Sequence, residues 1–112
     1  MVYNDGCRNN LIGGTAAGEG NPIAFNTESG IVAVGNNTRG NRFSRNTIFQ
    51  NGLLGIDLLD DKLPTPGVSG GDVGPNQLAL RPTLNKAQAS GSFGVVSGTA
   101  SPVSTIEILV SD

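Results

Sequence analysis

The sequence predicts an all-β chain whose first part is a stack of short parallel strands and whose last part is a separate, incomplete β unit. Three observations carry that expectation. Asn21-Pro22-Ile23-Ala24-Phe25-Asn26, followed by Gly30-Ile31-Val32-Ala33, recurs twenty-five residues later as Asn46-Thr47-Ile48-Phe49-Gln50-Asn51, followed by Gly55-Ile56-Asp57-Leu58. Self-similarity at a fixed period of this size is the mark of a stacked repeat. Seventeen glycines and twelve asparagines supply turns throughout, since both residues tolerate left-handed backbone. Finally, the apolar runs are three to five residues long and none keeps a helical period, which excludes helices and the longer strands of sandwiches.

Taken in order, Met1 to Asn9 is short and polar, with Asn4-Asp5-Gly6 as a turn signal. Asn10-Leu11-Ile12-Gly13 is a brief apolar segment, and Thr15 to Gly20 a loop of small residues. Ile23 to Phe25, Ile31 to Val34, Arg42 to Ser44, Thr47 to Phe49 and Ile56 to Leu59 then read as strands. Grouped in threes, they give coils at 10–13, 22–25, 31–34 and at 42–45, 47–49, 56–59. Each segment lies about 4.8 Å from its counterpart as a parallel pair. Asn10 falls under Asn41, with Gly14 to Gly20 absorbing the longer offset. Ile23 stacks on Ile48 and Ile31 on Ile56, facing inward, while Ala24, Thr47 and Ser44 face outward.

The asparagines have a physical reason at these bends. Asn can adopt the left-handed conformation a corner requires, and side-chain amides at equivalent positions can bond to one another as a ladder. Asn21/Asn46 and Asn26/Asn51 are the predicted pairs. The simpler reading makes them solvated turn formers. Both readings are structural.

After Leu59 the chain becomes rich in Pro, Gly and Asp, which sets boundaries: coils over 1–63, a linker over 64–77 and a second module over 78–112. In that module Phe93 to Ser97 and Thr105 to Val110 read as a hairpin joined by Gly98-Thr99-Ala100-Ser101-Pro102. Two or three strands cannot close a sandwich, so the chain reads as a fragment.

Asn-x-Ile-x-x-Asn followed by Gly-Ile, with Asn10-Leu11-Ile12-Gly13-Gly14 upstream, resembles the right-handed parallel β-helix repeat family. The match is closest from Gly40-Asn41-Arg42-Phe43 to Gly55-Ile56-Asp57-Leu58, and the resemblance covers most of 9–110. It implies the last coils of a large bacterial secreted or cell-surface protein. There, an acidic loop ending like Asp72-Val73-Gly74-Pro75-Asn76 leads into a β-sandwich-like module. The fold class is therefore a right-handed parallel β-helix of about two coils, followed by an incomplete antiparallel sandwich or hairpin segment.

Little chemistry is written in the chain. A net charge of −2 with seven scattered basic residues excludes a nucleic-acid footprint. No run approaches a membrane-spanning length, and no signal peptide is visible. There is no His, so Cys7, read as a small buried or end-coil residue, has no base to activate it. Asp57, Asp60, Asp61 and Asp72 concentrate carboxylates that could take Ca²⁺, but their spacing fits no calcium loop and no cofactor is predicted. Asp57 and Glu107 are the conspicuous acids for a glycosidase pair, yet they sit in different units. Glu19 and Glu28 lie in loops, and Arg39, Arg42 and Arg45 read as a solvated charged edge. Asn36-Asn37-Thr38 matches a glycosylation acceptor only incidentally.

No catalytic constellation emerges. The family includes polysaccharide lyases and glycosidases as well as non-catalytic adhesins and stalks, and fold alone does not choose among them. The expectation is a structural or adhesive segment contacting polysaccharide or other cell-surface components. Its alternative is a piece of a lyase or glycoside hydrolase whose catalytic face lies outside this chain. Two coils bury little area, and repeat stacks need about three for independent stability. Self-association through the exposed ends is therefore also expected.

Overall fold

A run of three β-forming residues between turns is too short to make a hairpin worth its closure. It gains partners only from an equivalent run one repeat away. The strands of the first 63 residues pair in that way. The computed structural model describes residues 1–63, 73–101 and 104–108. Its strands are β1 (Val2–Asp5), β2 (Leu11–Gly13), β3 (Pro22–Ala24), β4 (Ile31–Val34), β5 (Arg42–Ser44), β6 (Thr47–Phe49), β7 (Ile56–Asp57), β8 (Thr83–Ser90) and β9 (Phe93–Thr99). The chain is all-β.

Three small parallel sheets form, ordered β1-β4-β7, β2-β5 and β3-β6. They remain separate and do not merge into one closed wall. The chain visits them in rotation, so that among β1 to β7 strands adjacent in sequence are never paired. Registers put Val2 beside Ile31, Leu11 beside Arg42, Pro22 beside Thr47, and Ile31 beside Ile56. The offsets are therefore 29, 31, 25 and 25 residues. Ile23 lies opposite Ile48 in this pairing. We call β1, β2 and β3 the lower end and β5, β6 and β7 the upper end.

The unequal offsets are absorbed in turns. Between β4 and β5 the extra residues are accommodated around Thr38, which is fully buried. Its N–H donates to Gly35 O at 3.1 Å and its hydroxyl to Val34 O. The same hydroxyl oxygen accepts the Gly6 N–H at 2.8 Å from the level below. Between β2 and β3 the loop is held by Glu19, whose carboxylate accepts the Thr15 and Ala16 amides at 2.7 and 2.8 Å. Levels also approach closely. A Cβ on Gly13, whose φ is +105°, would lie 1.9 Å from the Ser44 carbonyl oxygen, so no larger residue fits there.

Four expectations are corrected. The opening residues are not merely a polar turn: Val2–Asp5 is a strand under β4, as β-forming Val2 and Tyr3 allow. The left-handed residue at five of the corners is the one preceding the asparagine, namely Asn9, Phe25, Gly40, Arg45 and Gln50, and Asn21, Asn26, Asn46 and Asn51 are not left-handed. Cys7 is exposed. The hairpin pairs Phe93–Thr99 backwards with Thr83–Ser90, not forwards with the run at 105. The two-residue turn at Gly91, with φ +58°, favours the backward partner. Residues 104–108 form no strand. Asp72, most of the 64–77 linker, and the end of the Thr105 to Val110 run lie outside the described residues.

The apolar interior is narrow. Ile23, Ile31, Val32 and Ala33 are the buried hydrophobic residues. Ile31 has a level below and above and is 0% exposed, whereas its upper neighbour Ile56 is 42% exposed. Ile31→Ala should therefore destabilise the chain by about 2–5 kcal/mol, and Ile56→Ala by clearly less. Denaturant unfolding of the two variants checks this ordering.

Candidate functional site

At the upper end, one apolar residue from the last strand of each sheet faces a common cavity: Phe43 of β5, Ile48 of β6 and Ile56 of β7. The cavity is open, holds about 340 Å³, and is rimmed by Arg42, Ser44 and Asn46. No further strand covers it among the described residues. Thr105 and Glu107 lie across it instead.

Glu107 is held by two directed donors. The Ser44 hydroxyl donates to Oε1 at 2.5 Å and the Arg45 backbone N–H to Oε2 at 2.8 Å. In the parallel pairing of β2 and β5, Arg42 N donates downward to Asn10 O. Amides alternate in direction along a strand, so Arg45 is left pointing at the place of a next strand, and a carboxylate fills that place. Ser44 was expected to face solvent; it is 2% exposed, because the segment bearing Glu107 covers it. The Ser44 hydroxyl, then the Arg45 amide, hold the Glu107 carboxyl below its ordinary value, with the charges of Arg45 and Arg42 adding to the effect.

Two further groups finish the upper edge. Asp57, 1% exposed, accepts the Leu59 and Asp60 amides on Oδ1 at 3.1 and 3.0 Å and the Lys62 amide on Oδ2 at 3.1 Å. It curls the backbone away from the end of β7. Asn76 stands over Asn41: the Asn41 N–H donates to Asn76 Oδ1 at 3.1 Å, and Asn76 Nδ2 donates to Asn41 O at 2.8 Å.

The predicted ladder residues meet in their predicted pairs. Asn21 donates from N and Nδ2 to Asn46 Oδ1, both at 3.1 Å. Asn26 donates from the same atoms to Asn51 Oδ1 at 3.3 and 2.7 Å. A third column, Asn10, Asn41 and Asn76, repeats this geometry in its first step, from Asn10 to Asn41, and continues to Asn76, whose Oδ1 accepts the Asn41 N–H alone. Only the first step was visible, as the fall of Asn10 under Asn41. Asn76 hid in a Gly-Pro-rich stretch with no repeat around it. Comparison with protein-family models, characterised proteins and solved structures returned no match.

The remaining candidates do not converge. Asp57 and Glu107 are each occupied by backbone or hydroxyl donors on separate elements. Arg39, Arg42 and Arg45 are exposed, with Arg39 bridged in parallel to Arg8. Glu28 pairs with Lys62 at 3.6 Å on the surface. Among the described residues, no cluster of three metal-ligating side chains occurs, Asp60 and Asp61 included.

Glu107 binds its donors as a carboxylate, so its lowered value fixes the sign of a pH effect. The contact is fully present above the ordinary value of 4.5 and is lost as pH falls through the lowered one. Glu19, lowered chiefly by the Ala16 and Thr15 amides, behaves alike. In an amide NMR titration, Arg45 should report the first loss and Thr15 with Ala16 the second. Glu107→Gln should remove only the Arg45 response.

Proposed function

We propose that this chain is a non-catalytic structural and adhesive segment of an extracellular or cell-surface protein of the right-handed parallel β-helix kind, and that its outer faces contact carbohydrate. The single observation that carries this reading is the repeated asparagine column. Its geometry is the same at three corners, and it joins levels whose paired strands are only two to four residues long. Such a device serves a rod that must keep its faces in register, and it leaves the side chains between corners available for contact.

Two further features support the reading. The carboxylates that would serve hydrolysis, Asp57, Glu19 and Glu107, are committed to backbone amides or a hydroxyl. On the outside, Phe25 is 75% exposed and stands edge-on to Phe49, ring centres 5.6 Å apart. An exposed aromatic ring braced by a half-buried one is the kind of apolar platform on which the C–H face of a sugar ring packs. The upper and lower ends are the surfaces through which such a segment self-associates.

The structural half is tested by stability. Asn46→Ala and Asn51→Ala each leave part-buried N–H groups without an acceptor and should cost about 1–2 kcal/mol. Asn36→Ala, on an exposed turn, should cost under about 0.5 kcal/mol. Equal effects at all three positions would remove the columns as the organising device.

The adhesive half is tested by retention on immobilised polysaccharides. Wild type should be retarded on at least one, and Phe25→Ala should elute earlier while keeping its melting temperature. Elution at the void position on every matrix would end the carbohydrate reading.

A further inference from the structure

The mouth at the upper end already shows what kind of molecule suits it. Its occupant is an extended peptide, Ser104-Thr105-Ile106-Glu107-Ile108, in which alternate residues face opposite ways. Thr105 and Glu107 line the mouth, while Ile106 and Ile108 line a shallow groove on the β8–β9 hairpin beside Leu84 and Val96. We propose that the mouth is a binding site for an extended acidic peptide segment of a partner protein, and that residues 104–108 fill it in cis.

The site is built for a carboxylate on a chain. Two donors, one of them a hydroxyl on a residue 2% exposed, address the two oxygens of one carboxylate at 2.5 and 2.8 Å. Charge-assisted bonds of this kind select an anion over an amide. Arg42 and Arg45 add positive charge at the rim. The floor of Phe43, Ile48 and Ile56 is apolar. Thr105, two residues before the acid, gives the recognised pattern as a small polar residue, a spacer and a Glu in extended form.

The cis occupant is held lightly. Among the hydrogen bonds between described residues, those of Glu107 are the two that join 104–108 to the strands. The hairpin that carries the segment is exposed along its whole length on both faces. A partner segment therefore competes with a tether, not with a packed core. Its apparent affinity is lowered by the fraction of molecules in which the tether is seated.

The test uses the full chain carrying Glu107→Ala, with a synthetic Ser-Thr-Ile-Glu-Ile peptide and its Gln counterpart as probes. Calorimetry gives the affinity, and the Arg45 amide resonance reports the site. The Glu peptide should bind the variant about tenfold or more tightly than it binds wild type and move the Arg45 resonance. The Gln peptide should bind far more weakly. Adding Ser44→Ala should lower the affinity of the Glu peptide about tenfold, as loss of one charge-assisted bond does. The proposal is overturned if a well-dispersed amide spectrum shows Glu107→Ala folded and the Arg45 resonance does not respond. Equal binding of the two peptides overturns it as well. So does dimerisation of the peptide-free variant in sedimentation if the Arg45 resonance shifts with it, which would assign the mouth to a second copy; dimerisation that leaves Arg45 unmoved belongs to the lower end.

Discussion

Every corner of the strand stack depends on one side-chain amide whose oxygen receives two N–H groups from the level below and whose nitrogen returns a bond to a backbone carbonyl. At Asn46 the donors are Asn21 N and Nδ2, and the carbonyl is Ile12 O. At Asn51 the carbonyl is Ile23 O, and at Asn41 it is Cys7 O. The constraint behind this is an accounting one. Strands of three residues end almost as soon as they begin, and the peptide groups at each bend would be left without partners in a part-buried place. An amide side chain carries both a donor group and an acceptor, so it can close the account at a bend where an ionised Asp, which only accepts, cannot.

The rest of the architecture follows from that closure. Because the corner bonds are made between levels, each level can be small, and the interior can be a thin column of Ile, Val and Ala without large aromatic residues. The cost falls on the residue before the asparagine at most corners, which turns left-handed even where it is Phe25, Arg45 or Gln50. Such conformations in side-chain-bearing residues cost about 1–2 kcal/mol each. They persist where surrounding bonds over-determine them. At Arg45 the same bend presents the N–H that Glu107 takes, so a feature required for turning also creates the contact with the C-terminal segment.

Much of this was legible in the residues because the pattern repeats. The period of 25 gives the register of β3 with β6 and β4 with β7 directly, since Asn, Ile and Gly recur at matching positions. Where the repeat is broken, the reading fails for identifiable reasons. Val2 to Asp5 keeps the strand but replaces the Val34-Gly35 ending with Asp5-Gly6, which reads locally as a turn. Asn76 sits alone in a Gly-Pro context, where only the third dimension puts it over Asn41. Ser44 is small and polar and alternates outward, and nothing near it in sequence announces that a residue sixty-three positions away will cover it. Residues 104–108 show the period of a strand and present alternate residues to two surfaces, yet find no backbone partner among the described residues, so alternation there does not record pairing.

The unequal offsets of 29, 31, 25 and 25 residues have a consequence of their own. In a coiled coil, one inserted residue shifts the phase of everything after it. Here phase is restored at every corner, because an asparagine finds its partner above or below whatever length of chain has intervened. The loop from Gly14 to Gly20 is the visible record: it lengthens one turn, and Asn21 still meets Asn46. Loop length adds closure entropy only slowly, about 0.6 kcal/mol per doubling. Turns in such a stack are therefore free to vary in length and content while the columns stay aligned. New recognition surface can be added at the corners of this chain without renegotiating its interior.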